Sequence, residues 1–237
     1  MERIRIDKFI SVALGISRND AKLLVKQGAV SVDGDILKRA EDKVFDTDIV
    51  QVNGRDFHYK KYIYLVMNKP EGYLSASKDK KAKTVIDLVD EKYKHYDLFT
   101  IGRLDKNTTG LLLITNDGDF AHKIISPKSN IDKVYFAELD GDIKKVHIDM
   151  FGSGVVLADG TKCLPAKLTV GSKPNEAFIT IQEGKYHQVK RMFGTIGIGV
   201  NKLSRLSIGE FSLPKDLLLG ESRELLIDEF TLLNKLI

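Results

Sequence analysis

The chain has 237 residues, of which 43% are hydrophobic and 30% are charged, and its formal net charge is +4 at pH 7. This length suffices for one large domain or for a large domain with a small one. The single cysteine, Cys163, excludes an internal disulfide and favours a reducing, cytoplasmic location. No apolar run reaches membrane-spanning length, and no secretory signal is expected at the start.

The first thirty residues predict two short basic helices. In IRIDKFISVAL, residues 4–14, apolar side chains recur at helical spacing, and Gly15 ends the helix. Ser17 is a helix N-cap for a second helix that stops at Gly28. Six basic side chains stand against three acidic ones in this segment. They are candidate RNA-binding residues, although such runs are usually only a solvated surface: Arg3, Arg5, Lys8, Arg18, Lys22 and Lys26.

Short strands follow the helices. VSVDGDIL predicts a hairpin with its turn at Asp33-Gly34, and DIVQV predicts another strand. The segment NGRDFHYKKY lacks an apolar period, and residues 54–62 within it are interpreted as a connection. We expect a small domain over 1–57, a linker over 58–62 and a larger domain over 63–237.

The larger domain mixes strands and helices without regular alternation. Predicted strands are IYLVMNKP, FTIGRL, GLLLIT, KVYFAEL, AKLTV, AFITIQ and SRLSIGEF, and predicted helices are DFAHKII, IKKVHIDMF, YHQVKRMFGTI and IDEFTLLNKLI. Because helices do not separate successive strands, a Rossmann or barrel repeat is not expected. The pattern favours an α+β fold on a large, mainly antiparallel sheet.

Several kinds of chemistry lack their motifs. The chain has no phosphate loop, and GTIGIGVN lacks the setting of a dinucleotide fingerprint. The one cysteine and the scattered histidines have no metal-ligand spacing. The sequence therefore predicts chemistry by side chains alone, with no cofactor and no metal.

The segment FTIGRLDKNTTGLLLITNDGD carries Arg103 and Asp105 where an apolar run ends. If the strand continues, both side chains point to one face, with Leu104 opposite. An arginine beside an aspartate keeps the carboxylate ionised, and an ionised carboxylate can act as nucleophile or base. A salt bridge that merely closes a strand end explains the same pattern.

Two further clusters bear on that choice. EGKYHQVKRMF, residues 183–193, places His187, Lys190 and Arg191 on one helical turn, as an ordinary amphipathic helix also would. Tyr135 follows Lys133 at the start of KVYFAEL, a context that also suits a core tyrosine.

Together these segments resemble the pseudouridine synthases that modify ribosomal RNA. Residues 102–118 resemble the family signature G-R-L-D-x-x-T-T-G-L-L-L-x-T-x-D-G, and K-x-Y at 133–135, EGKYHQVKRMF at 183–193 and KLSRLSIG at 202–209 follow in the family's order. Residues 5–28 resemble the S4 RNA-binding domain. An S4 domain before this catalytic domain is the RsuA-type arrangement, and the Y-H-Q-V-K-R form resembles the branch that acts on 16S RNA.

The resemblance implies isomerisation of one uridine, expected at the uridine-516 type position, in which the base is detached, turned and rejoined through carbon 5. It implies that Asp105 is the catalytic carboxylate, that Arg103 positions the flipped nucleotide and that Tyr135 stacks on the uracil. Lys190 is implied as the basic partner of Asp105. The implied substrate pocket includes Leu203, Arg191 and Leu104.

The expected partner is 16S RNA or a small-subunit assembly intermediate, and the chain is expected to act as a monomer.

Three alternatives stay open: a 23S-directed synthase of the same family, a non-catalytic S4-type protein of ribosome assembly, and a hydrolase of glycosidic bonds. A hydrolase usually needs two carboxylates. Asp117 and Asp119 lie nearby, but their positions favour the N-cap and first turn of a helix.

Overall fold

The computed structural model describes residues 1–126 and 129–236. The chain divides into two compact units, one made of Met1–Ile63 with Glu91–Asp97 and the other of Tyr64–Asp90 with Leu98–Ile237. Within the described residues, no helix combines the length and the apolar character needed to cross a membrane.

The N-terminal unit contains the two predicted helices, α1 (Ile6–Leu14) and α2 (Arg18–Lys26), but the first starts two residues later than predicted, because residues 4 and 5 pair in a strand. Gly15 ends α1 in the left-handed conformation, with φ of 67°. The Ser17 hydroxyl accepts a hydrogen bond from the Asp20 N–H at 3.1 Å, which confirms the predicted N-cap.

Short strands complete this unit. β1 (Arg3–Arg5) pairs with β4 (Lys43–Phe45), while β2 (Val30–Val32), β3 (Asp35–Ile36), β5 (Val50–Val52) and β6 (Arg55–Phe57) form a sheet in the order β3-β2-β5-β6. The interpretation of 54–62 as a connection was wrong for β6. That strand carries no alternating apolar pattern; it pairs with β5 across the Asn53-Gly54 turn, and its Phe57 packs against the apolar core of the unit.

One apolar cluster joins the helices to the strands of the N-terminal unit. Because both helices bury one face against this cluster, their basic side chains are left on the opposite face. The cluster consists of Ile4, Ile6, Phe9, Ile10, Ala21, Val25, Val30, Val44, Val50 and Val52.

The segment Glu91–Asp97 groups with the N-terminal unit, whereas the expected division assigned all of 63–237 to one domain. His95 explains this grouping, because its Nε2 lies 3.0 Å from the carbonyl oxygen of Val12. Gly15 leaves the space that the imidazole fills: a Cβ at that position would lie 2.5 Å from the His95 side chain.

The larger unit is built on a nine-stranded sheet. Its strands are β7 (Tyr64–Lys69), β8 (Phe99–Ile101), β9 (Thr109–Thr115), β10 (Lys133–Leu139), β11 (Lys167–Val170), β12 (Glu176–Ile181), β13 (Val200–Ile208), β14 (Phe211–Ser212) and β15 (Ser222–Glu224). The main path is β11-β12-β10-β13-β9-β7-β15, with β8 beside β9 and β14 beside β13. Only the β9–β13 pair is parallel among the described strands, which confirms the mainly antiparallel α+β prediction.

Four helices of the described chain flank this sheet: α3 (Gly118–Ile125), α4 (Lys145–Ser153), α5 (Gln188–Thr195) and α6 (Ile227–Asn234). The helix predicted over 227–237 includes Ile237, which lies outside the described residues. Asp117 is the N-cap of α3 and accepts a hydrogen bond from the Phe120 N–H at 3.1 Å, as predicted. Its second carboxylate oxygen accepts from the Tyr64 hydroxyl at 2.6 Å, so both oxygens have structural partners.

Candidate active site

Asp105 lies in a loop between β8 and β9. Strand β8 ends at Ile101, because Gly102 turns the chain with φ of 74°. The prediction that Arg103 and Asp105 leave the sheet on a continuing strand was therefore wrong. The loop is closed by a turn in which the Thr108 N–H donates to the Asp105 carbonyl at 3.0 Å.

A buried lysine holds this loop from below. Lys69 is fully buried at the end of β7, and its ammonium donates to the carbonyl oxygens of Pro70, Lys106 and Thr108 at 3.0, 3.3 and 2.9 Å. Burial lowers the pKa of Lys69 to about 8, while the charge of Asp105 acts in the opposite direction. Sequence reasoning missed this residue, and its only signal is a charged side chain at the end of an apolar strand.

Ser75 fixes the same loop from a second side. Its hydroxyl donates to the carbonyl oxygen of Leu104 at 2.8 Å and accepts from the Leu104 N–H at 3.0 Å. Since Leu104 is itself buried, the backbone immediately before Asp105 is held on both its polar groups and its side chain. The carboxylate is thereby positioned by a rigid segment.

The parallel pairing of β9 with β13 brings the Asp105 loop beside β13. Gly110 in β9 lies opposite Arg205 in β13, and a Cβ on Gly110 would lie 2.3 Å from the Arg205 carbonyl oxygen. With φ of 98°, Gly110 also adopts a conformation that other residues avoid. Only glycine allows the strands to approach this closely where the Asp105 loop enters β9.

The paired strands β10 and β13 present side chains from one face of the sheet to the site. Tyr135 and Lys133 are two residues apart on β10, and Leu203 and Arg205 are two residues apart on β13. Tyr135 lies opposite Arg205 in the register. Side chains at such positions share one face of a sheet, so this face presents an aromatic, an apolar and two cationic groups.

A pocket of about 60 Å³ opens between this face and the loop. It gathers five of the predicted site residues, namely Arg103, Leu104, Asp105, Tyr135 and Leu203. The pocket also contains His187 and Gln188, from the segment 183–193 that the sequence had singled out. Five further lining residues were not predicted from the sequence: Thr108, Ile181, Gly184, Lys185 and Val189.

The imidazole of His187 lies beside the Asp105 carboxylate. Its Nε2 lies 3.4 Å from the Asp105 carboxylate, and both side chains are partly exposed. His187 has φ of 48° and immediately precedes α5, so the imidazole is directed by a left-handed turn at the helix start. Within the described chain Arg103 makes no ion pair with Asp105; its exposed guanidinium lines the pocket without a hydrogen-bond partner.

Lys190 and Arg191 do not line the pocket. The Lys190 ammonium donates to the Asn107 side-chain oxygen at 2.5 Å, so it contacts the Asp105 loop two residues beyond the carboxylate. Arg191 pairs with Asp159 at 2.5 Å and donates to the Tyr186 carbonyl at 3.3 Å. Hydrogen bonds from Thr161 and Arg191 lower the pKa of Asp159 to about 2.

Two polar side chains of the pocket differ in their availability. Gln188 accepts from the Lys185 N–H at 2.9 Å and donates to Glu183 at 2.6 Å, so its amide is already occupied. The Thr108 hydroxyl is buried and has no hydrogen-bond partner in the described part of the chain. Among the residues described, no group of three His, Cys, Asp or Glu side chains is arranged to hold a metal.

Comparison with known proteins identifies the family. A model of the family described as RNA pseudouridylate synthase matches residues 63–195, and a model of the S4 domain matches residues 4–50. The chain belongs to the RNA pseudouridylate synthase family. This synthase is an isomerase, and its family assignment sets aside the alternatives of a non-catalytic S4 protein and of a glycosidic hydrolase.

Similar proteins match the synthase over almost its whole length. It is 42% identical to the Uncharacterized RNA pseudouridine synthase YtzG of Bacillus subtilis (strain 168), over 98% of this chain and 99% of the relative. It is 40% identical to the Ribosomal small subunit pseudouridine synthase A of Vibrio cholerae, over 95% and 97%. A crystal structure of a pseudouridylate synthase superimposes with a TM-score of 0.69 at 32% identity, over 97% and 99% of the two chains.

The S4 unit of the synthase orders two of its candidate RNA-binding residues. Asp7 is fully buried and accepts hydrogen bonds from Arg5 at 3.0 and 3.1 Å and from Arg18 at 2.9 Å. Burial raises the pKa of Asp7, but these hydrogen bonds outweigh it and hold the pKa below its usual range. The two guanidiniums remain about half exposed, so their outer edges are open to solvent. Arg3 lies over the ring of Phe45, at 5.3 Å from its centroid.

Proposed function

We propose that this synthase converts one uridine of 16S rRNA to pseudouridine, at the uridine-516 type position, with Asp105 as the catalytic carboxylate. The observation that carries the proposal is the pocket itself. Asp105 lies in it opposite Tyr135 and Leu203, on a loop whose backbone is fixed by Lys69 and Ser75. An aromatic face, an apolar wall and a positioned carboxylate suit one extruded nucleobase.

The reaction requires that the bond from ribose C1′ to N1 break, that the base turn, and that a bond from C1′ to C5 form. The proton on C5 must leave, and N1 ends with a proton, so product and substrate have the same composition. Asp105 acts at the sugar or at the base as nucleophile or as proton acceptor. We assign to the Tyr135 hydroxyl the removal of the C5 proton late in the reaction; this residue lines the same pocket as Asp105, and its hydroxyl has no hydrogen-bond partner among the described residues.

The surrounding side chains hold the nucleotide and the carboxylate. Leu203 packs against the base, and the exposed guanidinium of Arg103 contacts the flipped nucleotide or the strand it leaves. His187 supports the carboxylate directly, while Lys190 acts on it through Asn107. Leu104 anchors the loop, and Arg191 stays outside the pocket in an ion pair with Asp159.

RNA binding offsets the cost of extruding the base, which is roughly a few kcal/mol. The basic face of α1 and α2 is the proposed grip on the RNA backbone, and 16S is favoured by the Y-H-Q-V-K-R motif and by the relative from Vibrio cholerae.

The test uses 16S RNA from cells that lack this protein. Pseudouridines are mapped by carbodiimide labelling and primer extension before and after treatment with the wild-type enzyme or its Asp105→Asn variant. We expect one missing stop to return with wild type and not with the variant, while both proteins bind the RNA with similar affinity. A stop that appears only in 23S RNA would redirect the substrate assignment, and an active Asp105→Asn variant would remove Asp105 from the chemistry.

A further inference from the structure

A second cavity adjoins the Asp105 pocket in the same unit. Its volume is about 510 Å³, several times that of the pocket, and Arg103, Tyr135 and Gly184 line both. A nucleotide whose base occupies the Asp105 pocket is still attached to its neighbours in the strand. The adjoining cavity is therefore close enough to receive the part of the strand next to that base.

A buried arginine without a full set of partners lies in the wall of this cavity. Arg205 is only 3% exposed, and its Nε donates to the Leu111 carbonyl at 2.8 Å. Its Nη2 has no hydrogen-bond partner in residues 1–126 and 129–236. Leaving a buried guanidinium partly unpaired is costly, and a bound anion would remove that cost.

A second cation lies beside Arg205. The Lys133 ammonium donates to the carbonyls of Ile131 and Gln182 at 2.9 and 3.3 Å. Its third N–H group has no acceptor among the described residues. Burial lowers the pKa of Lys133, and the nearby charge of Arg205 lowers it further. Two like charges are thus held together in the wall of one cavity.

The carboxylate that lines the cavity does not neutralise these cations. Glu183 forms an ion pair with Lys185 and accepts hydrogen bonds from Gln188 and from the Leu164 N–H. The other charged lining residues are Arg103, Lys133 and Arg205, so the cavity is positive and contains an unsatisfied donor. The hydroxyls of Ser77 and Thr100 on its wall supply further donors.

We propose that this cavity is a phosphate-binding site, in which Arg205 and Lys133 hold a phosphate group of the RNA backbone next to the target nucleotide. The assignment rests on the proposed function, because it places the target base in the Asp105 pocket. A guanidinium presents parallel N–H groups that match two phosphate oxygens, and an ammonium adds a point charge. Such a contact fixes the strand while the base is turned.

The first test measures the affinity of the full-length protein for a 16S RNA fragment over a range of salt concentrations. The slope of log K against log salt is negative, and loss of one phosphate contact reduces its magnitude by roughly 0.7 to 0.9. We expect that decrease for Lys133→Met, with weaker binding at low salt. Lys173→Met is the matched control. Lys173 is exposed and precedes the start of β12, whereas Gln182, which lines the cavity, follows the end of that strand. The slope of this control should equal that of wild type.

Arg205→Lys provides a second variant that keeps the charge. We expect it to retain the wild-type slope but to bind RNA more weakly, because the paired N–H geometry is lost. Its melting temperature, compared with that of wild type, separates this loss from simple unfolding. An unchanged slope for Lys133→Met would overturn the assignment to the RNA backbone.

A test with inorganic phosphate distinguishes a site for a phosphate of the RNA backbone from a site for a free phosphate ion. If the site also takes a free phosphate, phosphate should raise the melting temperature of wild type, relative to chloride at equal ionic strength, and should not raise that of Lys133→Met. A phosphate effect without a change in salt slope would assign the cavity to a free anion and exclude the RNA backbone. If the salt slope does not change and phosphate does not raise the melting temperature, the proposed site is overturned altogether. Activity of Asp105→Asn is scored separately, so failure of the proposed function is distinguishable from failure of this site.

Discussion

Lys69 connects the end of a buried strand to the backbone of the Asp105 loop. We expect Lys69→Met to leave three carbonyl oxygens without their donor and to lower the free energy of unfolding by about 2 to 4 kcal/mol. Activity should fall at least tenfold at temperatures where the variant is still folded. Denaturant unfolding and single-turnover kinetics measure the two effects. A variant of unchanged stability would show that the three hydrogen bonds contribute little.

The depressed pKa of Lys69 gives a second expectation, for pH. Between about 8, its value in the folded protein, and its ordinary value of 10.5, the unfolded chain holds a proton that the folded chain releases. Stability therefore rises with pH in this window, and the cost of burying the charge is fully present below it. The difference in unfolding free energy between wild type and Lys69→Met should grow by up to about 3 kcal/mol across the window. A difference that stays flat across these pH values would contradict the assignment.

Thr108 offers a sharper test of the pocket, because its hydroxyl is buried and unpaired in the described structure. Thr108→Val keeps the shape of the side chain and removes only this group. If the hydroxyl bonds to the nucleotide, kcat/KM should fall about tenfold while stability is unchanged or slightly higher. Unchanged kcat/KM with higher stability would mean that the hydroxyl does not reach the substrate.

Among the elements, the parallel contact of β9 with β13 depends on one glycine. In Gly110→Ala the new Cβ would meet the backbone of Arg205, and the residue would keep a φ of 98°. We expect a loss of at least about 2 kcal/mol in stability and a loss of activity, since the Asp105 loop enters β9 here. Gly118→Ala is the control, because its Cβ meets no atom within 4 Å at the start of α3. Thermal unfolding of the two variants should therefore differ clearly.

Elements with a strong pattern were predictable from the sequence. KVYFAEL alternates buried and partly buried side chains along β10, and the Asp33-Gly34 turn has the positive φ values that its sequence predicts. Strand β15 carries no such pattern, because backbone pairing with β7, far away in the sequence, holds it. Local sequence does not record a partner supplied by a distant strand.

The site shows the same division. The motifs identified Asp105, Tyr135 and Leu203, which the pocket brings together. They did not reveal Lys69 or Arg205, whose Nη2 lacks a partner among the described residues, because both lie within strands whose apolar neighbours dominate the pattern. The expected partnership of Asp105 with Arg103 failed for a backbone reason, since Gly102 ends β8 before either residue.

At the scale of the whole molecule, we expect substitutions in the basic helix α2 to affect RNA binding and not the chemical step. We expect Lys22→Glu with Lys26→Glu to raise KM for RNA at least tenfold and to leave kcat nearly unchanged, because these exposed charges contact backbone phosphate rather than the reacting base. The same reversal at exposed Lys173 and Lys215 is the control. Steady-state kinetics at two salt concentrations check the result, and a fall in kcat alone would contradict this division of roles.

The segment Glu91–Asp97 has a consequence for how the protein is made and cut. Because it groups with the N-terminal unit, the polypeptide passes between the units after residues 63, 90 and 97. During synthesis, the imidazole that fills the space beside Gly15 emerges only after the start of the larger unit has been translated. The N-terminal unit therefore completes its packing late, and a single protease cut after residue 63 leaves residues 1–63 attached to Glu91–Asp97 only by non-covalent contacts.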